Sequence, residues 1–452
     1  MKPIAIRLAK IVSALLVAAI LLHIALLVAS GLLLRHARNE LRAAGRPMTP
    51  EDIIPKDVPA SENAAPLYES AFALLDSLTI GNEPFSAAVS FSKSVSACEQ
   101  DPDSDDKLAA LERLLADPGV VLAMQLIDKA TARPRCNFDL PYEQGAMMLF
   151  PHVNGMIKAS RFLSAKALLD ARRGNTEAFW RDIETSFRMA DALREEPVLI
   201  SALVRLSLLK ATASGIVAHA GRVPPDDEIS ARIDGWLLNA RDAAPIVLAM
   251  DGERLTMGEW LFDENNSQRL VQSVIDVGGP NLEPRYLAWL LSYRPARQAE
   301  HTAYLRTLKQ CTDNFSRPFW EVPPVAQPEQ TMNQRWYGGM LHSFAPAFFS
   351  VLASTVTLQA QLDVARVGLA LHRHKAALGS YPPSLAEIDS SFLAEIPPDP
   401  FTGQPLVYRP EGDGFVLYSL GENLRDDNGT PEPADHRGTR DFDIVWRSPN
   451  GT

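Results

Sequence analysis

The sequence predicts a mainly α-helical chain: an N-terminal transmembrane helix, an α-helical bundle, and a small C-terminal α+β domain. Three observations carry this. Residues 11–34 hold no formal charge, apolar residues recur at helical spacing between 147 and 217, and two strand-like runs flank a turn-rich stretch beyond residue 400. A chain of 452 residues has room for two or three domains. The pattern divides it into an anchor (1–45), a helical domain (46–345) and a C-terminal domain (346–452).

The uncharged run of 24 residues at 11–34 is long enough for a bilayer core of about 30 Å, which takes about 20 apolar residues in helix. A cleaved signal peptide usually has an apolar region of about 7–15 residues, so the run reads as a retained anchor. The small residues "VAS" before Gly31 leave cleavage open. Lys2, Arg7 and Lys10 precede the run and Arg35, Arg38, Arg42 and Arg46 follow it, so charge alone does not orient it.

Asn63 is placed to cap a helix carrying Leu67, Ala71, Leu74, Leu75 and Leu78. Phe162, Ala165 and Leu169 share one face of a helix that Gly174 can stop. Phe179, Ile183, Phe187 and Ala190 then mark a second helix, and residues 198–220 a third, more buried one. The punctuation "RRGNTEAFW" is similar to a single tetratricopeptide-type hairpin, without a second copy at that family's period, so a plain bundle is expected. The C-terminal domain is expected to start with a helix bearing Leu352, Val356, Leu362, Ala365, Leu369 and His372, stopped at Gly379. Strands at 406–409 and 415–419 would follow, joined by a turn at 410–414.

The net charge of −11 excludes sequence-independent nucleic-acid binding, which needs a basic face. Cys98, Cys136 and Cys311 have no short Cys/His spacing, so no zinc site is expected. Either Cys98 pairs with Cys136 outside the cytoplasm or the thiols are isolated and buried. Nucleophile-elbow, zinc-protease, phosphate-loop and dinucleotide motifs are absent. "HRH" at 372–374 reads as a solvated polar face, because positions i and i+2 on a helix diverge too far for one ion. Asp251, Glu253 and Glu259 read as a surface helix boundary. No catalytic residue is assigned.

Acids crowd the stretch after the second strand: Glu422, Asp426, Asp427, Asp435, Asp441 and Asp443. They are either solvated loop or cation ligands. In order, "GSYP", "IPPDPFTGQPLVY", "SLGEN" and "DFDI" resemble the C-terminal region of type II secretion major pseudopilins, over about 80 residues. The resemblance implies a calcium ion held by the Leu420 carbonyl, Asn423 (where that family has Asp), Asp441 and Asp443. Asp426 and Asp427 can restore the charge that Asn423 lacks. The segment between 423 and 441 is longer than the family's, and the chain lacks a prepilin cleavage site. An EF-hand does not fit, since Gly429 at its sixth position puts Leu424 where Asp is required.

The expected protein is therefore a single-pass, inner-membrane cell-envelope protein with its bulk extracytoplasmic. It would be a non-catalytic scaffold or binding protein whose partners are envelope or secretion-system proteins. Two alternatives stay open: an extracytoplasmic enzyme with its pocket in the helical domain, and a helical-repeat adaptor binding a peptide.

Overall fold

A computed structural model describes residues 2–77, 79–80, 83–84, 105–266, 292–322, 339–431 and 442–448. Cys98, Asp435 and Asp441 lie outside these residues. The chain is mainly helical, with an apolar N-terminal helix and a three-stranded sheet near the C-terminus.

Helix α1 (Lys2–Ala43) carries the uncharged run and, by length and composition, can cross a membrane. The body comprises α2 (Ala65–Ser77), α3 (Asp105–Leu115), α4 (Pro118–Thr131), α5 (Pro151–Arg172), α6 (Thr176–Asp191), α7 (Leu199–His219), α8 (Asp227–Ala240) and α9 (Ala244–Gly252). A π-helical turn (Glu253–Gly258), α10 (Glu259–Phe262) and α11 (Arg294–Asn314) follow. A two-residue ladder pairs β1 (Thr79–Ile80) with β2 (Glu83–Pro84). Asn63 accepts the Ala65 amide at 3.1 Å as expected of a cap, and also the Asn137 amide at 2.9 Å, fastening the start of α2 to the chain after α4.

Phe162, Phe179, Ile183, Phe187 and Ala190 are all buried where α5, α6 and α7 pack together. Gly174 turns the chain between α5 and α6 with φ +71°, a conformation that costs a side-chain-bearing residue about 1–2 kcal/mol. Trp180 is fully buried, and its indole N–H donates to the Val223 carbonyl at 2.8 Å. Truncating Trp180→Ala is expected to cost about 3–5 kcal/mol, measured as a lower denaturant midpoint.

Helix α12 (Gly339–Leu378) starts earlier than the sequence pattern indicates and packs on α7, α8 and α11 as well as on the sheet. One continuous core runs from α2 through α12 to Phe415, Leu417 and Trp446. Asp363, fully buried on α12, has Arg241 3.2 Å away. Burial pushes its carboxyl up to about 7 against the pull of Arg241 and Arg366, with Asp399 adding repulsion. A raised pKa means that this group's stabilising contribution is complete below about pH 4 and is lost as pH rises through about 7. The Asp363→Asn chain is therefore expected to show a flatter melting-temperature profile than wild type across that window.

Two expectations are corrected. His372 and His374 are not a solvated face. The His372 ring contacts Tyr381, Phe415 and Trp446, and burial, then Lys375, lowers its pKa to about 4; His374 is buried beside Phe392. Nor is Asp251 at a surface boundary, and the half-buried Glu259 is held in ion pairs rather than left to solvent. Asp251 is buried between Arg46 (3.3 Å) and Arg254 (3.1 Å), and Glu259 bonds Arg38 at 2.8 Å with His301 at 3.6 Å. These pairs fasten the end of α1 to the body.

Candidate cation site in the C-terminal loop

Strands β3 (Val407–Glu411) and β4 (Gly414–Ser419) form the expected hairpin. Its turn is tighter than the sequence indicates: Glu411 pairs with Gly414, leaving only Gly412 and Asp413 between the strands. Gly412 supplies the positive φ (+58°) that two-residue hairpins favour. Strand β5 (Ile444–Ser448) adds antiparallel to β4, so Ser419 lies opposite Ile444 and both ends of the acidic loop meet at one edge.

Asp399 sets the start of the loop. Its carboxylate is buried and accepts the Ser419 hydroxyl (2.9 Å), the Leu420 amide (3.0 Å) and the Phe401 amide (2.9 Å). At Gly421 (φ +71°) the two arms nearly touch, since a Cβ there would stand 2.6 Å from the Phe442 carbonyl oxygen. Leu424, Asn428 and Gly429 also have positive φ and coil the loop back on itself.

Within it, Asn423 accepts the Arg425 amide at 3.0 Å and donates to Asp427 at 3.0 Å. Asp426 accepts the Tyr418 hydroxyl and the Asn428 amide, both at 2.8 Å. Asp443 is 4% exposed and accepts the Gly429 amide at 2.8 Å through Oδ2; its Oδ1 is buried with no hydrogen-bond partner among the described residues. Burial raises the Asp443 pKa, the amides of Gly429 and Asp427 oppose this, and the carboxylates of Asp427 and Asp426 add to it. Among the described residues, this is a buried carboxylate with one bare oxygen and two acidic neighbours, an arrangement that a cation would relieve.

The structure thus joins Asn423 to Asp427, and Asp443 to the same turn through Gly429. Leu420 is fixed through its amide. Asp441 lies outside the described residues. Carboxylate, amide and carbonyl oxygens are the donors a hard cation takes, which fits calcium chemically. Among the described residues, however, no three His, Cys, Asp or Glu side chains converge closely enough to hold an ion. Asp399 was missed in the sequence; its only local signal is the "DP" within "IPPDPFTGQPLVY", and its role appears only where the sheet brings Ser419 and Leu420 to it.

A cavity of about 510 Å³ opens beside Asp443, between α7, α12 and the loop. Gln361 and Glu422 share its wall, and Gln361 Oε1 is also without a partner among the described residues.

Comparison with protein-family models, curated proteins and solved structures finds no match to this chain. Function therefore has to come from the geometry.

Proposed function

We propose that the protein is a membrane-anchored, non-catalytic scaffold of the cell envelope whose pseudopilin-like C-terminal module is stabilised by calcium. The observation that supports calcium is the bare, buried Oδ1 of Asp443 facing a loop that already gathers Asp426 and Asp427. A divalent cation there would satisfy that oxygen and relieve the repulsion. Millimolar calcium, the level at which weak extracellular sites work, suits an extracytoplasmic module.

The direct test is calorimetric Ca²⁺ titration of the full chain in detergent, with thermal melts in calcium and in EGTA. Binding to the folded form alone stabilises it by about 2.7 kcal/mol at a hundredfold excess over Kd, so the melt should move up in calcium. No heat and an unchanged melt would exclude the ion. Asp443→Asn is expected to abolish the calcium shift. In EGTA it should also remove a pH dependence: a raised carboxyl makes wild type more stable on acidification, and the amide has no proton to gain. Placement is checked separately by a topology reporter fused after Thr452, where activity only in the cytoplasmic reporter would overturn it.

The enzyme alternative needs perturbed titratable groups lining a cleft. Asp182 (pushed up to about 6), Glu253 (about 7) and Asp363 (about 7), each raised by burial, line none of the three described cavities. Asp443 and Cys136, also raised by burial, line one each, but Asp443 is the proposed cation ligand and a thiol pushed up by burial is a poor nucleophile. Ser201, Glu196 and His152 have the composition of a hydrolytic triad in the wrong order. Glu196 sits between the other two, accepting the Ser201 hydroxyl with His152 Nε2 at 3.2 Å, and all three are buried. A nucleophilic serine needs the histidine beside it as base, so this trio braces α5 against α7. The adaptor alternative is not favoured, because the apolar faces of the α5–α6 hairpin are already covered within the bundle.

A further inference from the structure

We infer that the folded body rests directly on the bilayer, with the first turn of α11 in the phosphate-bearing headgroup layer, an inference that depends on the membrane-anchor reading. Helix α1 does not lead out of the membrane as a free stalk. From His23 onward one stripe of it is covered by the body: His23 Nδ1 is 3.1 Å from the Tyr293 hydroxyl, the Ser30 hydroxyl donates to Gln298 at 2.8 Å, and Ala37 and Leu41 are buried. Glu40 is 3.7 Å from Arg306. The positions 23, 30, 34, 37 and 41 follow the 3.5-residue period of a coiled-coil seam, and α11 runs parallel to α1 from residue 293 to residue 306.

That pairing sets the membrane level. The apolar run 11–34 would centre the hydrocarbon near His23, yet α11 begins beside His23 with an exposed Arg294, and Arg297 follows, 3.1 Å from Glu264. An arginine at mid-bilayer costs about 2.5–3.5 kcal/mol or more, whereas a guanidinium among phosphates gains charge-assisted hydrogen bonds. The part of the helix exposed at every residue, 6–25, is about 30 Å long, which matches the hydrocarbon thickness. Taking it as the span puts Arg7 and Lys10 near the far surface, within reach of the opposite headgroups. Above His23 the outer face of α1 stays apolar and exposed, at Ile24, Val28, Leu32 and Leu33, which suits a helix half shielded by protein and half by lipid.

The test uses the full chain without its native cysteines in phosphatidylcholine–phosphatidylglycerol vesicles. Single probes at Leu16→Cys, Ser292→Cys and Ser316→Cys carry a fluorophore, and the quencher is a nitroxide lipid labelled deep in the acyl chain for Leu16→Cys and near the headgroup for the other two. The exposed Ser292 and Ser316 flank α11, whose 21 residues separate them by about 30 Å. Ser292→Cys is expected to be quenched and Ser316→Cys unaffected. Quenching at Leu16→Cys without quenching at Ser292→Cys would show a body held off the membrane and overturn the inference while sparing the anchor. Loss of quenching at Leu16→Cys would overturn both.

Discussion

Asp399→Ala is expected to lower the stability of the C-terminal sheet by about 3 kcal/mol and to abolish the calcium-dependent rise in melting temperature. The carboxylate is the common acceptor for the Ser419 hydroxyl and the Leu420 and Phe401 amides, and its surroundings are closed to water. Truncation strands three donors at once, and each buried unsatisfied donor costs about 1–3 kcal/mol. Asp399→Asn keeps the shape and one acceptor oxygen, so it should lose part of this stability. The two effects are separable by measuring melts of both variants in EGTA, where only the structural loss is seen, and then in calcium. An Asp399→Ala chain that melts like wild type in EGTA would mean that the loop is held from elsewhere.

Much of the fold was legible because it rests on local periodicity. The stripe Phe179–Ile183–Phe187–Ala190 marks one face of a helix, and the two strand-like runs on either side of residues 410–414 mark a hairpin, although the five-residue turn expected there closes to two. What the sequence hid depends on distance along the chain or on burial from several sides. Arg38 and Glu259 are 221 residues apart and Arg46 and Asp251 are 205 apart, so nothing local announces that these charges fasten α1 to the body. His372 looked solvated because charged neighbours surround it in sequence. Helix α12, however, is covered by α7, α8 and α11 on some faces and by the sheet on another, and a helix buried all round gives no amphipathic signal. In the candidate site the acids were visible as composition. The feature that makes Asp443 unusual, one satisfied oxygen and one bare one, exists only once Gly429 folds back onto it.

Gly368→Ala is expected to destabilise the chain by about 3 kcal/mol by prising the sheet from α12. A Cβ at this position would stand 2.1 Å from Cε3 of Trp446 and 2.3 Å from Cζ3, closer than any real contact. The indole has little room to retreat, being 2% exposed and flanked by the rings of His372 (5.4 Å) and Phe415 (6.0 Å). Strand β5 must therefore move instead. Trp446→Ala alone opens a cavity and is expected to cost about 3–5 kcal/mol. In the double variant the new methyl occupies space that the indole has vacated, so the two losses should fall short of additivity by about 1–3 kcal/mol. Strict additivity would mean that Gly368 and Trp446 do not meet. Asp443 immediately precedes β5, so a displaced strand carries its carboxylate away from Gly429 and the acidic turn. Gly368→Ala should consequently weaken the calcium response although residue 368 is no ligand, and Trp446→Leu in the same chain should recover part of it.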